Sequence, residues 1–285
     1  MARSPSKRAL LIAGPTASGK SALALRLARE RNGVIVNADA MQVYGELRIL
    51  SARPPPEEEA AVPHRLYGHV SGRENYSVAR WLVDARREIE LAWGQGMLPV
   101  VTGGTGLYFR ALERGLADIP PIDADVREKW RAFTGDVHAA LVRLDPKAAA
   151  RLEPNDRQRI IRALEVIEAT SHPLSHWQAV ARQGAALAEA DVERIFIDVP
   201  RAELYARAEA RFDAMIAAGA IGEVRPLLDY DPALPVMKAI GVPELLGHLR
   251  GEMTLDEAVT AAKTATRHYV KRQLTWWRGQ GGWGR

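Results

Sequence analysis

Short apolar runs and amphipathic stretches alternate over the first third of the chain. Residues 9–13 (ALLIA) form an apolar run of strand length, 34–36 (VIV) a second and 97–101 (MLPVV) a third, and each is followed by polar or glycine residues. Between them, 21–30 carries Leu23, Ala24, Leu27 and Ala28 at helical spacing, and 77–93 carries Ala79, Leu82, Val83, Ile89 and Trp93. A continuous apolar run bounded by turn residues suits a strand covered on both faces, and an apolar stripe every three to four residues suits a helix lying on such a sheet. The alternation predicts an α/β core with a mostly parallel sheet.

From about 119 to 190 the strand signal vanishes and helical stretches rich in Arg and Ala take over. The clearest is 156–170 (DRQRIIRALEVIEAT), with Ile160, Ile161, Leu164 and Ile167 as its apolar stripe and Asn155 or Asp156 able to cap it through a side-chain oxygen. Arg157, Arg159 and Arg162 crowd its first turns, where the helix dipole opposes cations. Two answers stand open: an anion outside the helix, or pairing with Glu153, Asp156 or Glu165. Residues 194–199 (RIFIDV) read as a strand again, so the helical block is an insertion in the core and not an appendage. Helices are expected over 201–218, 222–228, 242–249 and 254–277. The expected organisation is the first part of the core over 1–118, a helical insertion over 119–190, and a return to the core sheet with a helical C-terminal part over 191–285. Residues 53–59 (RPPPEEE) read as a rigid, charged surface loop, and 279–285 are expected to fray.

Chemistry enters at the first strand-to-helix junction. Gly14, Pro15, Thr16, Ala17, Ser18, Gly19, Lys20 and Ser21 match the P-loop pattern G-x-x-x-x-G-K-S/T in the strand–loop–helix setting that the motif needs. The backbone N–H groups of such a loop and helix N-terminus form a concave site for phosphate oxygens. Lys20 adds a full charge there, and the Ser21 hydroxyl is placed to ligate Mg²⁺. The motif says that phosphate is held, not that a phosphoryl group is transferred. Asp39 follows the second strand, at a carboxyl end where open α/β sheets bind ligands, and lies beside the P-loop if the first two strands are near neighbours. A second glycine loop at 102–108 (TGGTGLY) follows the third strand, so two strand-to-loop junctions suggest two walls of one cleft.

Composition narrows the class. The chain has 285 residues, 47% hydrophobic and 26% charged, enough to bury a real core. With no cysteine there is no disulfide framework and no thiolate metal site. The apolar segment after the first residues is too short for a signal peptide or a spanning helix, so a soluble cytoplasmic protein without membrane contact is expected. Net charge is +4, and 32 of the 39 basic residues are Arg, whose fork binds phosphate in a bidentate way. The 254–277 helix interleaves Arg267, Lys271, Arg272 and Arg278 with Trp276 and Trp277, a pattern shared by RNA-binding surfaces and by ordinary core aromatics. His172 and His176 lie four apart, but Pro173 stands between them and no metal site is read there.

Five blocks occur in order: the P-loop GPTASGKS at 14–21, Asp39 in a D-x-x-Q-x-Y context, GGTGLY at 103–108, PNDRQRIIRALEV at 154–166 and TRHYVKRQLTWWR at 266–278. In these the chain resembles the tRNA dimethylallyltransferase family over nearly its whole length. The resemblance implies transfer of a dimethylallyl group from dimethylallyl diphosphate to N6 of adenosine 37 in the tRNA anticodon stem-loop, in tRNAs that read codons beginning with U, with Mg²⁺ as the metal and a monomeric enzyme. It implies that the P-loop cradles the donor diphosphate, with Thr16, Lys20, Ser21, Arg207 and Arg211 facing it. Asp39 takes the role of general base, and Thr105 touches substrate in the channel. Asp39, Ala40, Met41 and Gln42 form one RNA-recognition segment and Gln158, Arg159, Ile160, Ile161 and Arg162 another. Arg127 contacts tRNA, and Arg267, Lys271 and Arg272 hold its phosphates.

The chain departs from the family pattern in places. Ala40 stands where the family commonly has Ser, and 48–54 (RILSARP) replaces the usual D-I-G-T-A-K-P run, which puts the contacts of that loop in doubt although Arg53 keeps a cation there. Rival readings are an adenylate isopentenyltransferase acting on free nucleotide and a P-loop small-molecule kinase. Asp198, after an apolar run, imitates a kinase metal aspartate but reads better as solvent-facing or capping.

Overall fold

The computed structural model describes residues 7–180, 182–281 and 283. Its first segment alternates strands and helices in the predicted manner: β1 (Arg8–Ala13), α1 (Lys20–Glu30), β2 (Gly33–Asn37), α2 (Pro56–Ala61), β3 (His64–Arg65), α3 (Val78–Gly94), β4 (Leu98–Gly103) and α4 (Gly106–Arg114). A middle segment follows, with β5 (Leu116–Ala117), α5 (Ala124–Ala132), α6 (Val137–Leu144), α7 (Pro146–Ala149), α8 (Arg157–Thr170), α9 (Leu174–Val180) and β6 (Arg182–Gln183). The chain then adds β7 (Asp191–Phe196), α10 (Arg201–Ala217), α11 (Ala220–Val224), α12 (Val242–Leu249) and α13 (Leu255–Arg278). Two compact units result, one of the described residues up to Glu113 together with those from Ala186 onward, the other spanning Arg114–Ala185. Among the described residues no helix is long and apolar enough to cross a membrane.

In the first unit five parallel strands run in the order β3-β2-β4-β1-β7. β1 and β2 are therefore not neighbours. β4 lies between them, with Val100 in register with Leu10 on one side and Ile35 on the other. The nearness of the first two strands that would set Asp39 beside the P-loop is met only across β4, with a consequence for the site: the second glycine loop leaves the sheet between the P-loop and Asp39. The three central strands are almost wholly buried because helices cover both faces, which is why their sequences are continuous apolar runs and do not alternate. Leu10, Ile12, Ile35 and Val100 pack with Ala24, Leu27 and Ala28, the predicted inner face of α1.

Several expectations shift for local reasons. The strand read at 194–199 begins at Asp191 and ends at Phe196, because it pairs residue for residue with β1, from Arg8 with Asp191 to Ala13 with Phe196. Asp198 lies beyond it and is exposed. The proline and glutamate run read as a surface loop contains α2, which has Pro at its first position and Glu57, Glu58 and Glu59 in its first turn, where the dipole favours carboxylates. The helix expected over 222–228 divides into α11 and a 3₁₀ turn, Arg225–Asp229, because Pro226 has no N–H to continue the α ladder. Trp277 is buried and contacts Phe109, Phe196, Trp276 and Trp283, so it serves the core. Of the end expected to fray, Gly282, Gly284 and Arg285 lie outside the described residues.

The second unit has its own core of Trp130, Val137, Leu141, Ile160 and Leu164 with small residues between them. The expected absence of strands is corrected by β5 and β6, an antiparallel ladder of two residues each, too short to leave a periodic signal. Asp156 caps α8, its Oδ1 accepting the Arg159 amide at 3.3 Å. The crowded arginines of that helix are answered partly by pairing: Arg159 meets Asp156 at 3.4 Å and Arg162 meets Glu165 at 3.3 Å. The rings of His172 and His176 are 4.5 Å apart, and no group of three possible metal ligands occurs among the described residues.

Candidate active site

The P-loop turns tightly because Gly19 adopts φ +91°, a left-handed conformation, immediately before α1. The Lys20 ammonium folds back toward the Pro15 carbonyl at 3.4 Å. Burial lowers its pKa to about 8; Asp39 opposes this shift and Arg211 adds to it. An anion entering the cradle would favour the charged form of this half-buried lysine. Ser18 Oγ is buried and has no hydrogen-bond partner among the described residues. The Ser21 hydroxyl stands exposed at the start of α1.

Asp39 is held from several sides. Its amide donates to Asn37 Oδ1 at 2.8 Å, and its Oδ1 accepts the Met41 amide at 2.9 Å. Asn37 is itself pinned, donating to the carbonyls of Asp39 and Leu66 at 3.0 Å, while the Trp81 indole donates to the Asn37 carbonyl. The second glycine loop closes on this segment. Thr105 N donates to the Ala38 carbonyl and Thr105 Oγ1 accepts the Ala40 amide at 3.0 Å. Approach is so close that a Cβ on Gly103 would lie 2.1 Å from the Ala38 oxygen. With Ala at position 40, the hydroxyl of Thr105 bonds this segment through the backbone.

Helices from the C-terminal part complete the site. Arg211 on α10 donates to Thr16 Oγ1. Tyr269 on α13 sits by Asp39, Thr105 and Gln273; burial raises its pKa and the nearby Asp39 raises it further, so it stays a neutral phenol. Two cavities of about 380 Å³ each meet at Arg211. One is lined by Thr16, Asp39, Ala40, Met41, Thr105, Arg211 and Arg272 and by the apolar Leu50, Phe212, Met215 and Ile240. The other is lined by Gly19, Lys20, Ser21, Arg53, Arg207 and Arg211. A cationic cradle for phosphate thus adjoins a chamber with one carboxylate and an apolar wall.

The altered loop at 48–54 borders both. Glu223 on α11 accepts the amides of Arg48 and Ile49 at 2.6 Å and Leu50 at 2.8 Å, and Gln42 Nε2 donates to the Ser51 and Ala52 carbonyls at 2.9 Å. Leu50 and Ser51 then face one cavity and Ala52 and Arg53 the other.

The sequence-predicted residues divide accordingly. Thr16, Asp39, Ala40, Met41, Thr105, Arg211 and Arg272 line one chamber, and Lys20 and Ser21 the adjoining cradle. Arg207 reaches the cradle but is exposed and ion-paired with Glu203. The Gln42 amide is spent on the neighbouring loop. Arg267 is ion-paired with Glu209, while Lys271 is exposed. In the second unit Gln158 and Arg159 are exposed, Ile161 and Arg162 are half-buried, and Arg127 Nε is buried without a partner among the described residues. Ile160 is fully buried in that unit's core, so its side chain packs inward and is not available to RNA. Sequence reasoning passed over Tyr269 and Gln273, although both stand in the 266–278 block; polar residues four apart on a basic helix were the available signal. Phe212, Met215 and Glu223 gave none, since they look like ordinary helix residues.

Comparison with known proteins accords with this geometry. A family model described as IPP transferase matches residues 42–280, and one described as isopentenyl transferase matches 7–72. A tRNA dimethylallyltransferase of Methylobacterium nodulans is 56% identical, over 96% of this chain and 93% of that protein, and one of Azorhizobium caulinodans is 54% identical, over 95% and 89%. Among solved structures, a full-length tRNA isopentenylpyrophosphate transferase of Bacillus halodurans aligns with a TM-score of 0.70 at 35% identity, covering 96% of this chain and 88% of that one. A eukaryotic dimethylallyltransferase acting on tRNA aligns with a TM-score of 0.82 at 29% identity, covering 95% and 70%. With a family model matched over most of its length and relatives more than half identical along nearly all of it, the chain belongs to the IPP transferase family, that of the tRNA dimethylallyltransferases.

Proposed function

We propose that the protein transfers a dimethylallyl group from dimethylallyl diphosphate to N6 of adenosine 37 in the anticodon stem-loop of tRNA, releasing diphosphate. The observation that carries this reading is the junction at Arg211 of a cationic phosphate cradle with a chamber that holds Asp39 and an apolar wall. An ATP-hydrolysing site needs no apolar chamber beside its outer phosphates; a prenyl diphosphate does. The P-loop amides, Lys20 and Arg211 bind the diphosphate and take up the charge that grows on its oxygen as the C–O bond breaks. The allylic carbon becomes cation-like, and adenine N6 bonds to it. The N6 proton passes to the Asp39 carboxylate, which the Met41 amide holds in orientation. The target base leaves the loop stack at a cost of a few kcal/mol, least for an unpaired nucleotide.

Mg²⁺ suits the residues present. The exposed Ser21 hydroxyl is a hard oxygen donor beside Lys20 in the cradle, and the absence of an acidic cage among the described residues fits a metal that takes its remaining ligands from substrate phosphates and water. When bound, the metal supplies positive charge against the diphosphate oxygens. Arg127, the exposed start of α8, Lys271 and Arg272 supply the tRNA contacts in this reading.

The test is transfer of label from dimethylallyl diphosphate, with Mg²⁺, into unmodified tRNA carrying adenosines at positions 36 to 38, with AMP, ADP and ATP as parallel acceptors. Label at adenosine 37 alone is expected. Label on free nucleotide, or ATP hydrolysis without prenyl transfer, overturns the proposal.

A further inference from the structure

Gln273 is buried, 5% exposed, in the last two turns of α13, a helix whose outer face is basic. Its amide is used at both ends. Oε1 accepts the Thr16 amide of the P-loop at 2.9 Å, and Nε2 donates to the Gly104 carbonyl of the second glycine loop at 3.0 Å. The next residue, Thr105, is bonded to the backbone on either side of Asp39, through Ala38 and Ala40. A continuous path of hydrogen bonds, with one peptide link from Gly104 to Thr105, thus runs from the phosphate cradle, through one side-chain amide, to the segment that carries the carboxylate. Gln is the side chain that does this: a donor and an acceptor at the end of a stem long enough to reach both loops. Glu lacks the donor, Asn is one methylene shorter, and Leu fills the space with neither.

We propose that Gln273 is a positioning residue that fixes the distance between the phosphate cradle and Asp39. It touches neither reacting group and acts through Thr16 and Gly104. The roles of cradle and base rest on the function proposed above. The geometry of the clamp does not. Because β1 and β2 are separated by β4, no strand pairing ties the P-loop directly to Asp39. The register of donor to base depends instead on the loops, and the amide of Gln273 locks two of them together.

The experiment uses the full chain with Gln273→Leu and Gln273→Glu, and Gln273→Met as a variant of similar length for cases in which Leu lowers the melting temperature. Three quantities are read: amide hydrogen exchange at Thr16 by NMR, affinity for an anticodon stem-loop RNA, and the single-turnover rate of prenyl transfer with both substrates saturating. The expected result is faster exchange at Thr16 in the Leu and Met variants, which offer that amide no oxygen, protection retained there in Gln273→Glu, which loses only the bond to Gly104, and in all three a rate lower by about tenfold or more, the scale set by one lost buried hydrogen bond. RNA affinity stays within about twofold. Unchanged exchange at Thr16 in the Leu and Met variants overturns the clamp. Faster exchange with an unchanged saturating rate overturns its positioning role. Equal losses of RNA affinity and rate, in step with a lower melting temperature, reduce it to a structural residue and also overturn it. If the wild-type chain transfers no prenyl group, the proposed function falls, while faster exchange at Thr16 in the Leu and Met variants still supports the link between the loops.

Discussion

The Lys20 ammonium gives a quantitative handle on the donor site. Burial lowers its pKa from 10.5 to about 8 in the free protein. A diphosphate entering the cradle favours the charged form, so binding draws a proton onto Lys20 from neutral enzyme molecules. If only the ammonium form binds tightly, Kd scales with the factor 1 + 10^(pH − pKa). That factor rises about tenfold from pH 7 to pH 9 for a pKa near 8, and by only a few per cent for an unshifted lysine. Titration calorimetry with dimethylallyl diphosphate across this range should give that loss of affinity. Near pH 8 to 9, binding enthalpies should depend on the buffer, since a proton is taken up on binding. Lys20→Arg keeps its charge throughout and should flatten the curve, and it also controls for titration of the ligand. In the free protein the sign reverses. The unfolded chain binds this proton more readily than the folded one, so stability rises with pH between about 8 and 10.5 as the buried charge is relieved. A wild-type Kd that changes less than about twofold from pH 7 to pH 9, or a Lys20→Arg variant with the same slope as wild type, would refute the reasoning.

Four further outcomes are expected. Asp39→Asn should lower the single-turnover rate by about 100-fold or more while RNA affinity is retained, as measured by rapid quench and filter binding; a near wild-type rate would remove Asp39 as the base. Arg267 is already paired with Glu209, so Arg267→Ala should weaken stem-loop binding less than Lys271→Ala, and only the latter should reduce the salt dependence of binding by about one counterion. Gly103→Ala sets a methyl group 2.1 Å from the Ala38 carbonyl, so it should lower both melting temperature and activity; normal values for both would mean that the two segments are less tightly joined. Leu141→Ala opens a hole in the core of the second unit and should destabilise it by about 2–5 kcal/mol, read as earlier exchange of α6 and α8 amides; exchange unchanged in those helices would contradict the assigned core.

The sequence by itself determined the α/β class, the position of the P-loop and its helix, the carboxylate after the second strand and the second glycine loop. Each of these is local. A buried strand is a continuous apolar run, a phosphate loop is a fixed spacing of glycines before a lysine, and a cap is one side chain ahead of an amphipathic stripe. Tertiary structure decided what these pieces meet. Strand order is a long-range property, and only the sheet places β4 between β1 and β2, so that Gly104 and Thr105 stand between the phosphate cradle and Asp39. The partners of Arg211, Arg267 and Gln42 were likewise out of reach, because a charged or amide side chain carries the same letter whether it faces a ligand, a carboxylate or a neighbouring carbonyl. Ile160 read as part of an RNA-facing segment by its place in a motif, yet packing turns it inward. Gln273 looked like one more polar residue on a basic helix, and only burial between two loops gives its amide both a donor and an acceptor to serve.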